Sequence, residues 1–174
     1  MPIINLKQDA LLFRKFLDEK VDELSAKTIS AIEVGYDGDQ GGWIFIHGDS
    51  RKEHERDGEW TAEVGEDNTL DMSHWIEAIE ERFEGQSVSL TKIDDTTIEL
   101  PPIDLDADED EDDDSDDPLP AAIGEMIQKV LLGAKEDGLF KHLTSKREVQ
   151  LDIEDFNGAW GWPTYEELGK INLA

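Results

Sequence analysis

An acidic stretch, DLDADEDEDDDSDD, covers Asp104 to Asp117 and separates a longer N-terminal part of the chain from a shorter C-terminal part. Eleven of its fourteen residues are Asp or Glu, and none is Lys or Arg. Because so many like charges with so few apolar side chains cannot build a core, the stretch is predicted to be solvated and mobile. We therefore expect one domain over residues 1–174, in which residues 104–118 form a mobile acidic insertion.

The rest of the chain is also strongly negative. The 174 residues include 44 acids and 16 bases, a net charge of −28. Without the acidic stretch the balance is 33 acids to 16 bases, or −17. Such a field repels nucleic acid and anionic membranes and attracts basic proteins, with association rates raised about 10- to 10³-fold. High solubility or a salt-rich habitat would explain the same excess without a partner.

Three features of the sequence favour the cytoplasm. There is no cysteine, which excludes disulfides, thiolate metal ligands and cysteine nucleophiles. The first residues, MPIINLKQDALLF, have neither the basic region nor the long apolar region of a signal peptide. No apolar run approaches the roughly 18 residues of a membrane-spanning helix.

Apolar residues three or four positions apart predict three long helices. These helices cover Asn5 to Ala26, with Asn5 as N-cap, Asp71 to Glu84, with Asp71 as cap and Gly85 as stop, and Ala121 to Asp137, with Gly138 as stop. The predicted buried stripe of the first helix is Leu6, Ala10, Phe13, Leu17, Val21 and Leu24, widened by Leu12 and Phe16. That of the second is Met72, Ile76, Ile79 and Phe83, with Trp75 beside it.

Short alternating segments between turn residues predict the strands. They are Ile29 to Tyr36, Trp43 to Gly48, Glu59 to Val64, Ser87 to Ile93, Thr96 to Leu100 and Glu148 to Ile153. The second of them, WIFIHG, is apolar on both faces and is expected to be central. Hairpins and few βαβ units favour an α+β fold, with a mostly antiparallel sheet of about five to six strands packed by three helices.

Neither a catalytic motif nor a metal-binding motif is present. The four histidines, His47, His54, His74 and His142, lack the spacing of a zinc-binding helix and are interpreted as incidental. An EF-hand loop needs a glycine at its sixth position, and the acidic stretch contains none. There is no G-x-S-x-G and no glycine-rich phosphate loop. We therefore predict no enzyme, no cofactor and no metal site, although pairs of carboxylates arise by chance among so many acids.

The acidic stretch is the first candidate partner-binding feature. Seven consecutive carboxylates would face a cluster of Lys and Arg on a partner: Asp108, Glu109, Asp110, Glu111, Asp112, Asp113 and Asp114. Binding of this kind weakens with salt. The alternative is a solvated insertion that has no partner.

Aromatic residues near the C-terminus are the second candidate. Trp160, Trp162 and Tyr165 lie close together, flanked by acids. If exposed, they would form an apolar anchor with an acidic rim, since Trp and Tyr are enriched at interface hot spots. The alternative is that they pack the tail onto the core.

Three segments carry a resemblance: ISAIEVGYDG, GGWIFIHGDSR and, near the end, LDIEDFNGAWGWPTYEE. They resemble small acidic bacterial proteins that are the immunity partners of polymorphic or contact-dependent toxins. The resemblance implies a non-enzymatic cytoplasmic protein that binds one cognate, basic toxin domain and neutralises it by occluding its active cleft. It assigns no role to any single residue.

Two other functions stay open at this point. One is an acidic adaptor, or a nucleic-acid mimic, that binds another basic partner. The other is an enzyme or small-ligand binder whose site the sequence does not reveal. Neither nucleic acid nor a membrane is expected as a partner, and the oligomeric state is not predicted.

Overall fold

The computed structural model describes residues 3–51, 55, 67–103, 117–144, 148–155 and 170–173. In chain order its elements are β1 (Ile3–Asn5), α1 (Leu6–Ser25), β2 (Ala31–Asp37), β3 (Trp43–Asp49), β4 (Thr69–Asp71), α2 (His74–Phe83), β5 (Val88–Thr91), β6 (Thr97–Leu100), α3 (Pro118–Glu136), α4 (Lys141–Thr144), β7 (Gln150–Asp155) and β8 (Lys170–Asn172). The predicted strand Glu59 to Val64 lies outside the described residues.

The strands form two mixed sheets. The larger has the order β4-β3-β2-β7-β8, in which only β2 and β7 are parallel. The smaller has the order β1-β5-β6, with β1 parallel to β5. The predicted α+β class is confirmed.

The predicted mostly antiparallel sheet of about five to six strands packed by three helices is matched only in part, since the described strands form two mixed sheets and a fourth, short helix is present. Periodicity identifies a strand but not its partner, and the parallel β1–β5 pair joins segments that are far apart in sequence. Three-residue strands such as β1, β4 and β8 are also too short to show alternation. The fourth helix, α4, has only four residues and therefore carries no helical period.

Helix α1 follows its predicted pattern closely. Asn5 is the N-cap, and its side-chain oxygen accepts hydrogen bonds from the backbone N–H groups of Lys7 and Gln8, each at 3.2 Å. The six residues of the predicted stripe are all buried. Phe16 is buried too, but Leu12 is 51% exposed, so the buried face is narrower than predicted.

One apolar cluster joins the helices to both sheets. The core-facing residues of the larger sheet contribute Ile32, Val34, Tyr36, Ile44, Ile46, Leu151 and Ile153, and they share the cluster with α1 and α3. The apolar strand β3 lies between β2 and β4, which confirms its predicted interior position. The opposite face of this sheet carries its polar side chains.

The ends of α2 and α3 follow the predicted chemistry, with shifted positions. Asp71, the predicted cap of α2, ends β4, and Ser73 occupies the N-cap position. Helix α3 begins at Pro118, earlier than predicted. Gly85 and Gly138 adopt φ values of +87° and +80° after their helices, as expected for glycine stops.

The buried face of α2 differs from the prediction. Trp75 is fully buried, Ile76 and Ile79 are half-buried, and Phe83 is 43% exposed. The Trp75 indole N–H also donates to the Oδ2 of buried Asp9 at 2.8 Å. Apolar spacing alone cannot indicate such a contact. Among the described residues, no helix has the length and apolar character needed to cross a membrane.

Candidate partner-binding site

The chain enters and leaves residues 104–116 at two points that are held together by Arg82. Its guanidinium Nε donates to the carbonyl oxygen of Pro101 at 2.8 Å, and its Nη1 donates to the Oδ2 of Asp117 at 2.8 Å. The backbone N–H of Ile103 donates to the Arg82 carbonyl at 3.0 Å. We call this set of contacts the Arg82 clamp.

Asp117 has a second role in the clamp. Its Oδ1 accepts from the backbone N–H of Leu119 at 3.1 Å, so the same carboxylate caps α3. The ion pair is largely buried, with the Arg82 side chain 5% and the Asp117 side chain 14% exposed. A buried pair of this kind is tolerated when both groups make further hydrogen bonds, as they do here.

An apolar crevice opens beside the clamp, between α2 and the start of α3. Its volume is about 140 Å³. Its described lining has five apolar and three polar residues: Ile79, Phe83, Ile103, Leu119 and Pro120, and Asp39, Gln40 and Asp117. Since Ile103 and Asp117 flank residues 104–116, an apolar pocket and the two ends of the acidic stretch share one surface.

Many basic side chains of the described part are engaged with the chain's own carboxylates. Seven Lys and Arg residues lie within 4.0 Å of an Asp or Glu oxygen: Lys7, Arg14, Lys15, Lys20, Arg51, Arg82 and Lys129. Each of these pairs removes one base and one acid from the balance, and the surplus of acids over bases in the sequence stays at 28. The molecule therefore carries a large net negative charge.

Two buried carboxylates lie side by side on the polar face of the larger sheet. Glu33 is in register with Asp152 on β7 and with His47 on β3, and Asp152 is in register with Lys170 on β8. Glu33 is 3% and Asp152 5% exposed, and the Gln150 amide donates to Asp152 Oδ1 at 3.0 Å. The sheet thus places two buried carboxyl groups side by side, with His47 next to one of them.

The imidazole of His47 faces Glu33 at the distance of an ion pair. Its Nδ1 lies 3.4 Å from Glu33 Oε2, without the geometry of a hydrogen bond. Carboxylates beside an imidazole can support acid–base chemistry when they reach a substrate. Among the described residues around the neighbouring cavity, however, His47 contributes to the lining and Glu33 and Asp152 do not.

A second histidine also pairs with a carboxylate. The Nε2 of His74 lies 3.0 Å from both side-chain oxygens of Asp9, which is itself 4% exposed. The hydrogen bond to Asp9 is the main cause that raises the pKa of His74 above its ordinary value, and attraction by Asp9, Glu77 and Asp71 adds to it. Partial burial opposes this shift. His142 is exposed on α4, and His54 lies outside the described residues.

The residues predicted to bind a partner lie outside the described part of the chain. They are Asp108, Glu109, Asp110, Glu111, Asp112, Asp113 and Asp114 in the acidic stretch, and Trp160, Trp162 and Tyr165 near the C-terminus. Their roles therefore stay predictions. In the described ranges, no group of three or more His, Asp or Glu is placed to hold a metal ion.

Sequence reasoning missed the Arg82 clamp and the crevice. One signal was available, because Arg82 lies seven positions after Trp75 and therefore on the same face of α2. A basic side chain on the apolar face of a helix needs a buried acidic or polar partner. Many acidic residues follow Pro101 and could have been that partner. The sequence could not indicate which acid would be used.

Comparison with known proteins returned no matching family model, no matching curated protein and no matching solved structure.

Proposed function

We propose that this chain is a non-enzymatic acidic binding protein that captures a basic partner protein. The observation that carries the proposal is the Arg82 clamp, which holds both ends of the acidic stretch beside an apolar crevice. Electrostatic attraction and an apolar anchor are the two components from which tight protein interfaces are usually built. Because the clamp lies next to both the acidic stretch and the crevice, it supports the proposal that the two contact the same partner.

The net negative charge of the chain supports a proposal about how fast the two proteins associate. Attraction between oppositely charged proteins raises association rates and decays within about 10 Å at 0.1 M salt. The net charge of −28 already counts every base, so the molecule as a whole attracts a positively charged partner. The acids from Asp108 to Asp114 would meet a Lys/Arg cluster first.

The crevice supports a role in the lifetime of the complex. Phe83 is 43% exposed at its edge, and apolar residues form most of its lining. A partner side chain inserted there would exclude water from an apolar surface, which slows dissociation. In this proposal the acidic stretch then covers the basic active cleft of the partner and blocks it sterically.

The proposed partner is the toxin domain of a bacterial polymorphic or contact-dependent toxin, and the chain is then its cytoplasmic immunity protein. The resemblance of the first hairpin and the C-terminal segment supports this identity for the partner. An acidic adaptor would differ in that it would bind many basic proteins with similar affinity.

The test is a kinetic binding experiment with a candidate basic toxin domain, chosen from the proteins whose genes neighbour the one for this chain. Three variants are compared with the wild type: Asp108 to Asp114 replaced by Asn or Gln, Phe83→Ala, and Leu132→Ala. Leu132 is a matched control, since it is 41% exposed against 43% for Phe83 and does not line the crevice.

Neutralising the seven acids should lower the association rate by about 10- to 10³-fold at low salt, and far less at high salt. Phe83→Ala should raise the dissociation rate, whereas Leu132→Ala should leave both rates unchanged. If Phe83→Ala and Leu132→Ala behaved alike, the crevice would not be the anchor. If the toxin domain did not bind, or if unrelated basic proteins bound equally well, the immunity function would be refuted.

A further inference from the structure

Strand β6 is the outer strand of the smaller sheet, and some of its backbone groups point away from its neighbour β5. At the end of the β5–β6 hairpin, the Lys92 N–H donates to the Thr96 carbonyl oxygen at 2.8 Å, one step beyond the paired residues of the strands. Hydrogen-bonded and non-bonded pairs alternate in an antiparallel ladder, so Thr97 and Glu99 belong to non-bonded pairs. Their N–H and C=O groups therefore point away from β5.

Among the described residues, none forms a hydrogen bond with these outward backbone groups. Thr97 and Glu99 are both exposed, whereas Ile98 between them is half-buried against the apolar cluster. The edge of β6 thus offers two N–H donors and two C=O acceptors in a row. An extended segment of another chain can pair with such an edge as an additional strand.

Contacts within the chain fix both ends of this edge. At the hairpin end, the Asp95 N–H donates to the Lys92 carbonyl oxygen at 3.1 Å and closes the turn. At the other end, the Pro101 carbonyl oxygen accepts from Arg82 in the clamp, and Pro101 has no N–H to donate. The edge is therefore short and connected to the Arg82 clamp, and its conformation is set before a partner binds.

The charges around the edge indicate which kind of segment it accepts. Glu99 is exposed on the edge and forms no ion pair with another described residue. The acidic stretch begins at Asp104, four residues after the end of β6. At the hairpin turn the charge is balanced instead, because Lys7 Nζ lies 2.6 Å from Asp95 Oδ1. The negative charge therefore increases along the edge from the turn towards the clamp.

We infer that the edge of β6 receives an extended basic segment of the partner protein, which becomes a fourth strand of the smaller sheet. This inference rests on the proposed function. A Lys or Arg opposite Glu99 would face its carboxylate, because directly opposite residues project from the same face of a sheet. The residue opposite Ile98 would be apolar, because Ile98 faces the core. The backbone of Thr97 and Glu99 would form the hydrogen bonds.

A second copy of this chain fits the edge less well. Each copy would bring a net charge of −28 to the contact, with a Glu99 on each edge. Charged side chains on an edge strand are one way in which proteins prevent pairing between identical chains. A basic segment is attracted by the same charges that repel a second copy.

The first measurement is amide hydrogen exchange of the full chain, followed by NMR at several protein concentrations. The amides of Thr97 and Glu99 should exchange fast, whereas those of Ile98 and Leu100, which face β5, should exchange slowly. Protection of Thr97 and Glu99 in the chain alone would mean that the edge is already paired, and the inference would be wrong. If that protection disappeared on dilution, the pairing would be with a second copy.

A synthetic peptide is the second probe, so that the test does not depend on the partner. Acetyl-Val-Lys-Val-Lys-Val-amide, at about 0.05 M salt, should slow the exchange of the Thr97 and Glu99 amides in a saturable way. The matched control carries methyl groups on the backbone nitrogens of both lysines, which keeps the charges and removes the donors that face β6. Its affinity should be lower by about 2- to 10-fold for each hydrogen bond lost. Equal affinities would show that charge alone attracts the peptide, which would overturn the inference.

Variants of the chain test whether the peptide binds at β6. Thr97→Pro removes an outward N–H but no bond to β5, and it should weaken peptide binding by about 2- to 10-fold. Thr97→Val, which keeps the N–H and lacks the hydroxyl, is the control and should bind like the wild type. Glu99→Lys leaves the backbone unchanged, so it also serves if Thr97→Pro does not fold. It should weaken binding of the lysine peptide and strengthen binding of the same peptide with glutamate in place of lysine. Unchanged binding by Thr97→Pro and Glu99→Lys would place the peptide elsewhere and contradict the inference.

Binding of the toxin domain to the same variants separates this inference from the proposed function. If the toxin domain protects the amides of Thr97 and Glu99 and binds Thr97→Pro more weakly, the added strand belongs to the partner. If it binds without protecting them, the interface lies elsewhere and the inference fails, while the proposed function stands. If the peptide pairs with β6 but no candidate toxin domain binds, the proposed function fails, and the edge accepts basic segments from another source.

Discussion

Arg82 is a charged side chain on the buried face of a helix, and its surroundings explain how it is tolerated. It is 4% exposed, and it bonds both to a carbonyl oxygen and to a carboxylate. Removing one member of a buried ion pair leaves the other charged and unsolvated, which is far more destabilising than losing an exposed pair. The environment of each charge, rather than the number of ion pairs, therefore decides its effect on stability.

Arg82→Met should lower the free energy of unfolding by about 3 kcal/mol, since Asp117 would lose its counter-charge in a largely buried position. Arg14→Met is the control, because its partners Asp18 and Asp137 are 49% and 65% exposed, and the expected loss is below about 1 kcal/mol. Urea unfolding followed by circular dichroism measures both variants. Equal losses would show that the clamp adds no more than a surface pair.

At the scale of elements, α1 and α2 are joined through one buried carboxylate. Asp9 on α1 accepts from the Trp75 indole and pairs with His74, both at the start of α2. Because the pKa of His74 is raised in the folded state, His74 binds its proton more tightly in the folded state than in the unfolded chain. The junction between the two helices should therefore respond to pH.

The sign of this response follows from the direction of the shift. His74 has a folded-state pKa above the unfolded value of about 6.5. Its contribution to stability is therefore fully present below about pH 6.5 and is lost as the pH rises through the folded-state pKa. The difference in unfolding free energy between wild type and His74→Gln should be larger at pH 5.5 than at pH 8.5. A difference between wild type and His74→Gln that does not change with pH would contradict the argument.

Local pattern predicted the elements well and their assembly poorly. The stripe of α1, the N-cap Asn5 and the glycine stops after α2 and α3 are all encoded within a few neighbouring residues, and they are confirmed. The division into two sheets depends on pairing between distant segments, which a single sequence does not specify. On the predicted stripe of α2, Met72 is buried and Ile79 packs against the core, whereas Phe83 is 43% exposed.

Of the candidate site, the sequence predicted the negative charge but not the contacts that form it. Composition alone indicates an acidic surface and a basic partner. The clamp and the crevice bring together α2, α3 and the segment after β6, so they exist only once the chain is folded.

At the scale of the whole molecule, self-repulsion is the dominant electrostatic effect. With 44 acids against 16 bases, compaction brings like charges together over most of the surface. Salt weakens this repulsion, since the Debye length falls from about 30 Å at 0.01 M to about 3 Å at 1 M. Salt also weakens the exposed ion pairs, but each of those contributes at most about 1 kcal/mol.

Sodium chloride should therefore stabilise the fold. Between 0.01 and 0.5 M, we expect an increase in unfolding free energy on the order of 1 kcal/mol, or a rise in Tm of about 2–4 °C for a chain of this size. Sodium sulfate at equal ionic strength separates screening from preferential exclusion, because only the screening effect should be the same for both salts. A Tm that falls with added sodium chloride would mean that attractive pairs, and not the surplus acids, dominate.

The Arg82 clamp also bears on how such a protein can change over generations. Arg82 joins the segment after β6 to the start of α3 through contacts with Pro101 and Asp117, which lie outside residues 104–116. Doubling the length of a flexible loop whose ends are held costs only about 0.6 kcal/mol. Related proteins could then differ in the length and sequence of residues 104–116, and so bind a different partner, while the rest of the domain keeps its sequence. Recognition and folding would in this way diverge as separate traits.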